Sequence, residues 1–458
     1  MHIERTSPGD LTTLATDRGP VPMNIAAVLV VGEGSALGLP AVRALLARRL
    51  PRVPRLRQRI VRPPVGHGRP FWVDDVGFDL DRHLAEVRLS PAAAGREQLL
   101  RVVADLVCRP LPRARPLWSA RWVSGLPDGS AAMVIVVHHV LADGLGGLAV
   151  LAALADSDQA ALADSDQAGS SSDIPFPHPA PSRNDLLRDA WSERAHHLRL
   201  LRATAGAGLH GLRELGLTGG RPRLAPVTSV NRPTGPRRSL STVTIPLSPV
   251  RDLARSTRST VNDVLVTAAV GALAGLLRRR GEHPHELVVS VPISGRRETT
   301  ADRLGNVTGV VPLTLPTTAD PHERLARTAA ISRARRGGPR ASSAGPLGLA
   351  FRGLGRIGVF RAFIQHQRLV NTFVTNVRGP AAGLSLGGHP VLEILPVAVT
   401  PGNVGVTFDI LSYAGNVCIT VVTDPELVPD ADDLTALLAE DLRHLVDISG
   451  TSRPSRSL

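Results

Sequence analysis

Apolar residues follow two rhythms along the chain. MNIAAVLVV (23–31) reads as a strand, closed by a Gly-rich turn, and AVRALLARRL after it has the spacing of a helix. Residues 96–108 put Leu99, Leu100, Val103, Leu106 and Val107 on one helical face. WSARWVSGL and AAMVIVVHHV read as strands on either side of the turn PDGS, and a helix resumes at LAVLAALAD after the bend ADGLGG. Further on, VNRPTGPRRSLSTVTIPL is a turn-rich lead into a strand. TVNDVLVTAAVGALAGLLRRR has the polar start, apolar body and cationic end that suit a helix dipole. ELVVSVPIS, GVVPLTLP, LVNTFVTNV, VGVTFDILSY and NVCITVVTD supply further strands. Strands and helices alternate in both halves, which predicts a two-domain mixed α/β protein and not a bundle or an all-β barrel. The longest apolar run, Val264 to Leu277, would span roughly 21 Å as a helix, short of a hydrocarbon core, and is expected to be buried.

One stretch breaks the pattern. ALADSDQA at 153–160 is repeated unchanged at 161–168 and followed by GSSSDIPFPHPAPS. A single tandem copy running into Ser and Pro is a linker signature, because repeat folds need longer units and more copies. The expected division is therefore a first domain over 1–165, a linker over 166–230 with basic helices near 186–203, and a second domain over 231–458.

Composition narrows the chemistry. The chain has 458 residues, is 43% hydrophobic and only 3% aromatic, and is long enough to bury an aliphatic core unaided. All 53 basic residues are Arg, against 40 acidic ones, for a net charge of +13. Without lysine there is no Schiff-base enzyme and no Walker phosphate loop. With 13 aromatics and no dense arginine tract, nucleic acid is not an expected partner. The charge is uneven: Arg324 to Leu392 holds 11 arginines and no acid, whereas 401–458 holds nine acids and three arginines. That predicts a local basic surface for an anionic ligand or membrane. Cys108 and Cys418 lie far apart, which argues against a disulfide framework or zinc knuckle and fits a reducing cytosol. MHIERTSPGD has no apolar core, so no signal peptide is expected.

The sharpest chemical feature is His138-His139-Val-Leu-Ala-Asp143-Gly144, directly after the strand MVIVV. Neighbouring side chains on a strand point to opposite faces, so the two histidines do not share a metal. One is packed and the other is presented at the strand mouth, where an imidazole suits general-base work. Asp143 can hold the bend, and Gly144, Gly146 and Gly147 allow close backbone approach. Neither cysteine sits in a recognisable nucleophile motif, so the pattern points to direct attack by a substrate hydroxyl or amine on an activated acyl donor.

HHVLADG resembles the HHxxxDG motif of CoA-dependent acyltransferases. Further elements resemble the bacterial wax ester synthase/acyl-CoA:diacylglycerol acyltransferases: the opening SPGD…PMNIAAVLVV, Pro116-Leu117-Trp118, Asn231-Arg-Pro-Thr-Gly-Pro-Arg-Arg238, Val261-Asn262-Asp263, Gly305-Asn306 and Asn376-Val-Arg-Gly-Pro380. They run in order over about residues 7–440. The resemblance implies a chloramphenicol-acetyltransferase-like fold with a tunnel between the domains. His139 would be the base. His138 and Asp143 would be structural, Asp143 pairing with an arginine such as Arg238. Asn262 would orient the histidine or donate to the oxyanion, although a first-turn helix position explains it equally well. The chain departs from the family pattern at Asn24, where the family has His, at Ile25-Ala26, and at Gly146, where it commonly has Ser.

Two segments outside these motifs stand out. Gly353-Leu-Gly355-Arg-Ile-Gly358 is formally GxGxxG but lacks the preceding strand and the following acid of a dinucleotide site. Leu347, Phe351, Leu354, Phe360 and Ile364, with Arg352, Arg356 and Arg361, read instead as a basic amphipathic stripe for a lipid surface, or as a surface helix covering the domain interface.

The expected protein is thus a cytoplasmic O-acyltransferase, peripheral at a membrane or lipid-droplet surface. It would move a long-chain acyl group from acyl-CoA to diacylglycerol or a long-chain alcohol, with no metal or resident cofactor. The arginines that bind CoA are not assigned. The rival expectations are a related transferase with another hydroxyl or amine acceptor, and a non-catalytic lipid-surface protein.

Overall fold

The computed structural model describes residues 3–17, 19–90, 95–142, 144–156, 176–195, 224–294, 308–336, 359–399 and 402–451. Helix α1 (Pro8–Thr16) opens on a reciprocal capping box between Ser7 and Asp10 with Pro8 at its first position, which explains the SPGD element physically. The first half continues as β1 (Asn24–Val31), α2 (Leu39–Arg49), a hairpin of β2 (Gln58–Val61) and β3 (Phe71–Asp74), β4 (Leu84–Arg88), α3 (Arg96–Val107), β5 (Trp118–Ser124), β6 (Ala131–His138) and α4 (Gly144–Leu154). A helix α5 at 183–195 then docks on the hairpin region, where Arg5 meets Asp189 and Arg69 meets Glu193.

The second half comprises β7 (Ser239–Pro246), α6 (Leu247–Ser256), α7 (Val261–Arg279), β8 (Glu286–Ser294), β9 (Thr308–Pro316), α8 (Pro321–Arg336), α9 (Phe360–Gln365), β10 (Thr372–Arg378), β11 (Ser385–Leu386), β12 (His389–Ala398), β13 (Val406–Tyr413), β14 (Asn416–Thr423) and α10 (Ala431–Thr451). Two six-stranded mixed sheets result, ordered β11-β12-β1-β6-β5-β4 and β7-β14-β13-β10-β8-β9. The strands and helices named from the sequence are present at those places, except that, of the basic helices expected near 186–203, residues 196–203 lie outside the described residues.

Helix α7 is apolar and long enough to cross a membrane, yet 83% of its most apolar window is buried. It lies between the second sheet and α10, as its all-round apolar surface requires. The α8 residue Arg324 is wholly buried and forks onto both carboxylate oxygens of Asp441 in α10 at 2.6 Å.

Two strands of the second half, β11 and β12, join the first sheet. Although it comes late in the chain, β12 pairs with β1 in the first sheet, Ile25 opposite Ala398. Val399 N–H reaches back to Asn24 O at 3.3 Å, so Ala398 N–H points off the other edge, where Asp409 of β13 accepts it at 2.6 Å. Farther along, Glu393 of β12 accepts from Arg96 of α3 at 2.7 Å and from Thr244 of β7 at 2.6 Å. Pro390 and Pro396 interrupt β12 as a sequence pattern, which is why the strand was not expected. Pro396 shares the outward parity of Ala398, so its missing N–H falls on the edge away from β1.

Candidate active site

His138 is the last residue of β6 and lies opposite Asn24 of β1. Its parity is that of Ala132, Val134 and Val136, which pack toward α3, whereas Met133, Ile135 and Val137 join the core on the other face. Backbone bonds fix the strand end: His138 N–H donates to Leu117 O at 2.9 Å and Leu141 N–H to His138 O at 2.8 Å. The imidazole is buried and both of its nitrogens are engaged. Nδ1 accepts Val140 N–H at 3.1 Å, so Nε2 carries the proton and donates it to Asp17 Oδ2 at 3.2 Å.

Asp17 follows α1 and stands 121 residues from its histidine partner. Its other oxygen accepts Met23 N–H at 3.0 Å, and Arg113 pairs with it from the surface. Burial works to raise this carboxyl, but the His138 hydrogen bond, the Met23 N–H and Arg113 hold it below the ordinary carboxylate value. His139 comes next, half-buried just past the strand, and its N–H donates to Met23 O at 2.7 Å. One histidine is therefore locked into the scaffold, as the alternation of a strand predicts.

The other expected site residues distribute as follows. Asp143 lies outside the described residues, as do Gly305-Asn306 and Gly353–Gly358. Gly144 opens α4. Asn262 lies in the first turn of α7, whose N-cap is Thr260, and its Oδ1 accepts Asn376 Nδ2–H at 3.0 Å. Two motif asparagines from separate elements thus meet. Arg238 is buried 3.6 Å from Asp424 and also donates to the carbonyls of Gly235 and Arg237.

The Pro116-Leu117-Trp118 element serves packing and backbone support. Trp118 stacks on His83 with ring centroids 4.5 Å apart, donates to Leu56 O at 2.7 Å, and follows the carbonyl that holds His138. Beside this stack is an open polar pocket of about 470 Å³ bordered by Asp75, Asp79, Arg82, His83 and Arg115, which includes neither motif histidine. Asn24 ties β1 to the end of α3 by donating to Val107 O and Arg109 O.

Phe360 corrects one expectation. It is fully buried and packs near Phe363, so it does not belong to a lipid-facing stripe. Arg361 is exposed, Ile364 is half-buried, and the remaining residues of that stripe lie outside the described residues. Both thiols are poor nucleophiles: burial raises Cys108, and burial together with Glu393 pushes Cys418 up to about 12. Asp17 and the Asn262–Asn376 contact escaped the sequence reading, because neither leaves a local signal.

A family model described as the wax ester synthase/diacylglycerol acyltransferase catalytic domain matches residues 6–265, and one for the WS/DGAT C-terminal domain matches 304–446. A Mycobacterium tuberculosis protein named "probable diacylglycerol O-acyltransferase" is 30% identical over 99% of this chain and 98% of its own. The solved wax ester synthase/diacylglycerol acyltransferase of Marinobacter aquaeolei superposes with a TM-score of 0.63 at 18% identity, covering 98% of this chain and all of the other. A variant starter condensation domain of rhizomide synthetase, solved in complex with C8-CoA, superposes with a TM-score of 0.62 at 16% identity, covering 100% and 97%.

Proposed function

The chain belongs to the wax ester synthase/diacylglycerol acyltransferase family, and from that premise we propose that it moves a long-chain acyl group from acyl-CoA to a diacylglycerol or a long-chain alcohol, with His139 as general base. The observation that carries the assignment of the base is the occupancy of His138. Both of its ring nitrogens are committed, to Val140 N–H and to Asp17, so of the two motif histidines His138 is the one whose ring is taken up by the scaffold.

In this reading the acceptor hydroxyl gives its proton to the His139 imidazole as its oxygen attacks the thioester carbonyl. The resulting oxyanion collapses, the C–S bond breaks, and the imidazolium returns the proton to the departing thiolate. An ester and free CoA result. The thioester supplies the activation, so the scheme needs no resident cofactor. The protonated thiols support direct transfer over a cysteine acyl-enzyme. Asn262 has its oxygen taken by Asn376, and what it offers the site is its NH2 donor, which suits a developing oxyanion. The name of the mycobacterial relative supports diacylglycerol as acceptor, and the C8-CoA complex of the condensation domain supports a CoA-linked donor. Residues 1–165 and 231–458 would form the two domains, with β11 and β12 of the second completing the sheet of the first. The basic stretch beyond the buried Arg324, up to Leu392, would meet the lipid surface that delivers the acceptor.

The test compares ester formation by wild type, His139→Ala and His138→Ala, with folding checked by circular dichroism. The expected loss for His139→Ala is on the order of 10²- to 10⁴-fold in kcat without loss of fold. Full turnover by His139→Ala would overturn the assignment.

A further inference from the structure

We propose that Asp17 is a positioning residue for the acyl transfer: it sets the tautomer of His138 and thereby fixes the backbone on both sides of His139. The inference rests on the reading of His139 as base. The two carboxylate oxygens do separate work. Oδ1 accepts Met23 N–H at 3.0 Å, and the Met23 carbonyl in turn accepts His139 N–H at 2.7 Å. Oδ2 accepts His138 Nε2–H at 3.2 Å, beside Arg113.

A carboxylate offers only lone pairs, so the facing imidazole nitrogen must bring the proton. Nδ1 then keeps its own lone pair for Val140 N–H, 3.1 Å away, in the residue immediately after His139. The base is thus held from Met23 on one side and from Val140 on the other, and both holds lead back to one carboxylate. Arg113 pairs with the same carboxylate from the surface side.

Asparagine is the informative replacement, since it keeps the shape and has one oxygen for two donors. If the oxygen faces Met23 N–H, the NH2 meets Nε2 and drives the proton to Nδ1, where it opposes Val140 N–H. If the oxygen faces Nε2, the NH2 opposes Met23 N–H. Either arrangement puts two donors face to face beside His139.

The experiment measures thiol release from palmitoyl-CoA by wild type, Asp17→Asn and Asp17→Glu. Alongside it, ¹⁵N NMR of histidine-labelled protein reads the tautomer of His138, assigned by the signal lost in His138→Gln. Asp17→Asn should lower kcat about 10- to 100-fold while leaving KM for palmitoyl-CoA within about threefold, because misplacing a catalytic group costs rate and not ground-state binding. The His138 signal should lose its protonated-Nε2, unprotonated-Nδ1 pattern. Asp17→Glu, which keeps both lone-pair oxygens, should recover part of kcat and the tautomer. An active wild type with unchanged kcat in Asp17→Asn would overturn this proposal and leave the function standing. No thiol release by wild type would instead count against the function, and the His138 signal would then decide Asp17 by itself: an unaltered tautomer in Asp17→Asn overturns its role.

Discussion

Burial acts to raise two aspartates, Asp17 and Asp409, but only in Asp409 does it prevail. Asp17 is kept low by its donors and its arginine, so it stabilises the fold above its ordinary pKa and loses that contribution as pH falls. Asp409 accepts hydrogen bonds only from uncharged groups, Thr375 Oγ1–H at 2.8 Å and Ala398 N–H at 2.6 Å, and desolvation raises it from 3.8 to about 7. A carboxyl raised on folding contributes fully below its unfolded value, and the contribution is lost as pH rises through the folded one. Stability from this group therefore falls between about pH 4 and pH 7. Asparagine can keep its oxygen on Ala398 N–H and donate to a reversed Thr375 hydroxyl. Asp409→Asn is accordingly expected to melt closer to the same temperature at about pH 5 and pH 8 than wild type does. Thermal melts at the two pH values check this, and identical pH dependence in the two proteins would contradict it.

At the scale of elements, α7, α8 and α10 are pinned by one buried ion pair with a glycine beneath it. A Cβ at Gly271 of α7 would run into both the Arg324 guanidinium and the Asp441 carboxylate. Alanine is the better helix former by about 1 kcal/mol, but separating a buried pair costs about 3–5 kcal/mol. Gly271→Ala is expected to lose about 2–4 kcal/mol of stability in urea unfolding, and a neutral or stabilising result would mean the pair simply moves aside. What was legible in the sequence follows the same division. Periodicity revealed the strands and helices that carry uniform apolar patterns, β6 and α7 above all, and alternation on β6 predicted that one of the two histidines is packed, which His138 is. Strand β12 was hidden by Pro390, Glu393 and Pro396; Pro396 is tolerated because it lies past the short β11, where the edge away from β1 needs no sheet partner. Asp17 and the Arg324–Asp441 pair were hidden for another reason: their partners lie 121 and 117 residues away, and only the folded chain brings them together.

At the scale of the whole molecule, two sheets are joined by β12, which with the short β11 leaves the second half to complete the first sheet. β12 carries Glu393, which gathers α3 and β7, and Ala398, which meets Asp409 of β13, so one strand contacts both halves along its length. Its far end reaches Asn24, the register partner of His138, which couples the joint to the motif. In the proposed function, the arginine-bearing, acid-free stretch would be the part that meets anionic donors and lipid interfaces. The central claim is direct, His139-dependent acyl transfer from acyl-CoA to a lipid hydroxyl. It is tested most directly by measuring free thiol released from palmitoyl-CoA, with diacylglycerol, hexadecanol or no acceptor, by wild type and His139→Ala. The account predicts release that depends on acceptor and is lost in the variant. Release that ignores the acceptor, or that survives in His139→Ala, would contradict it.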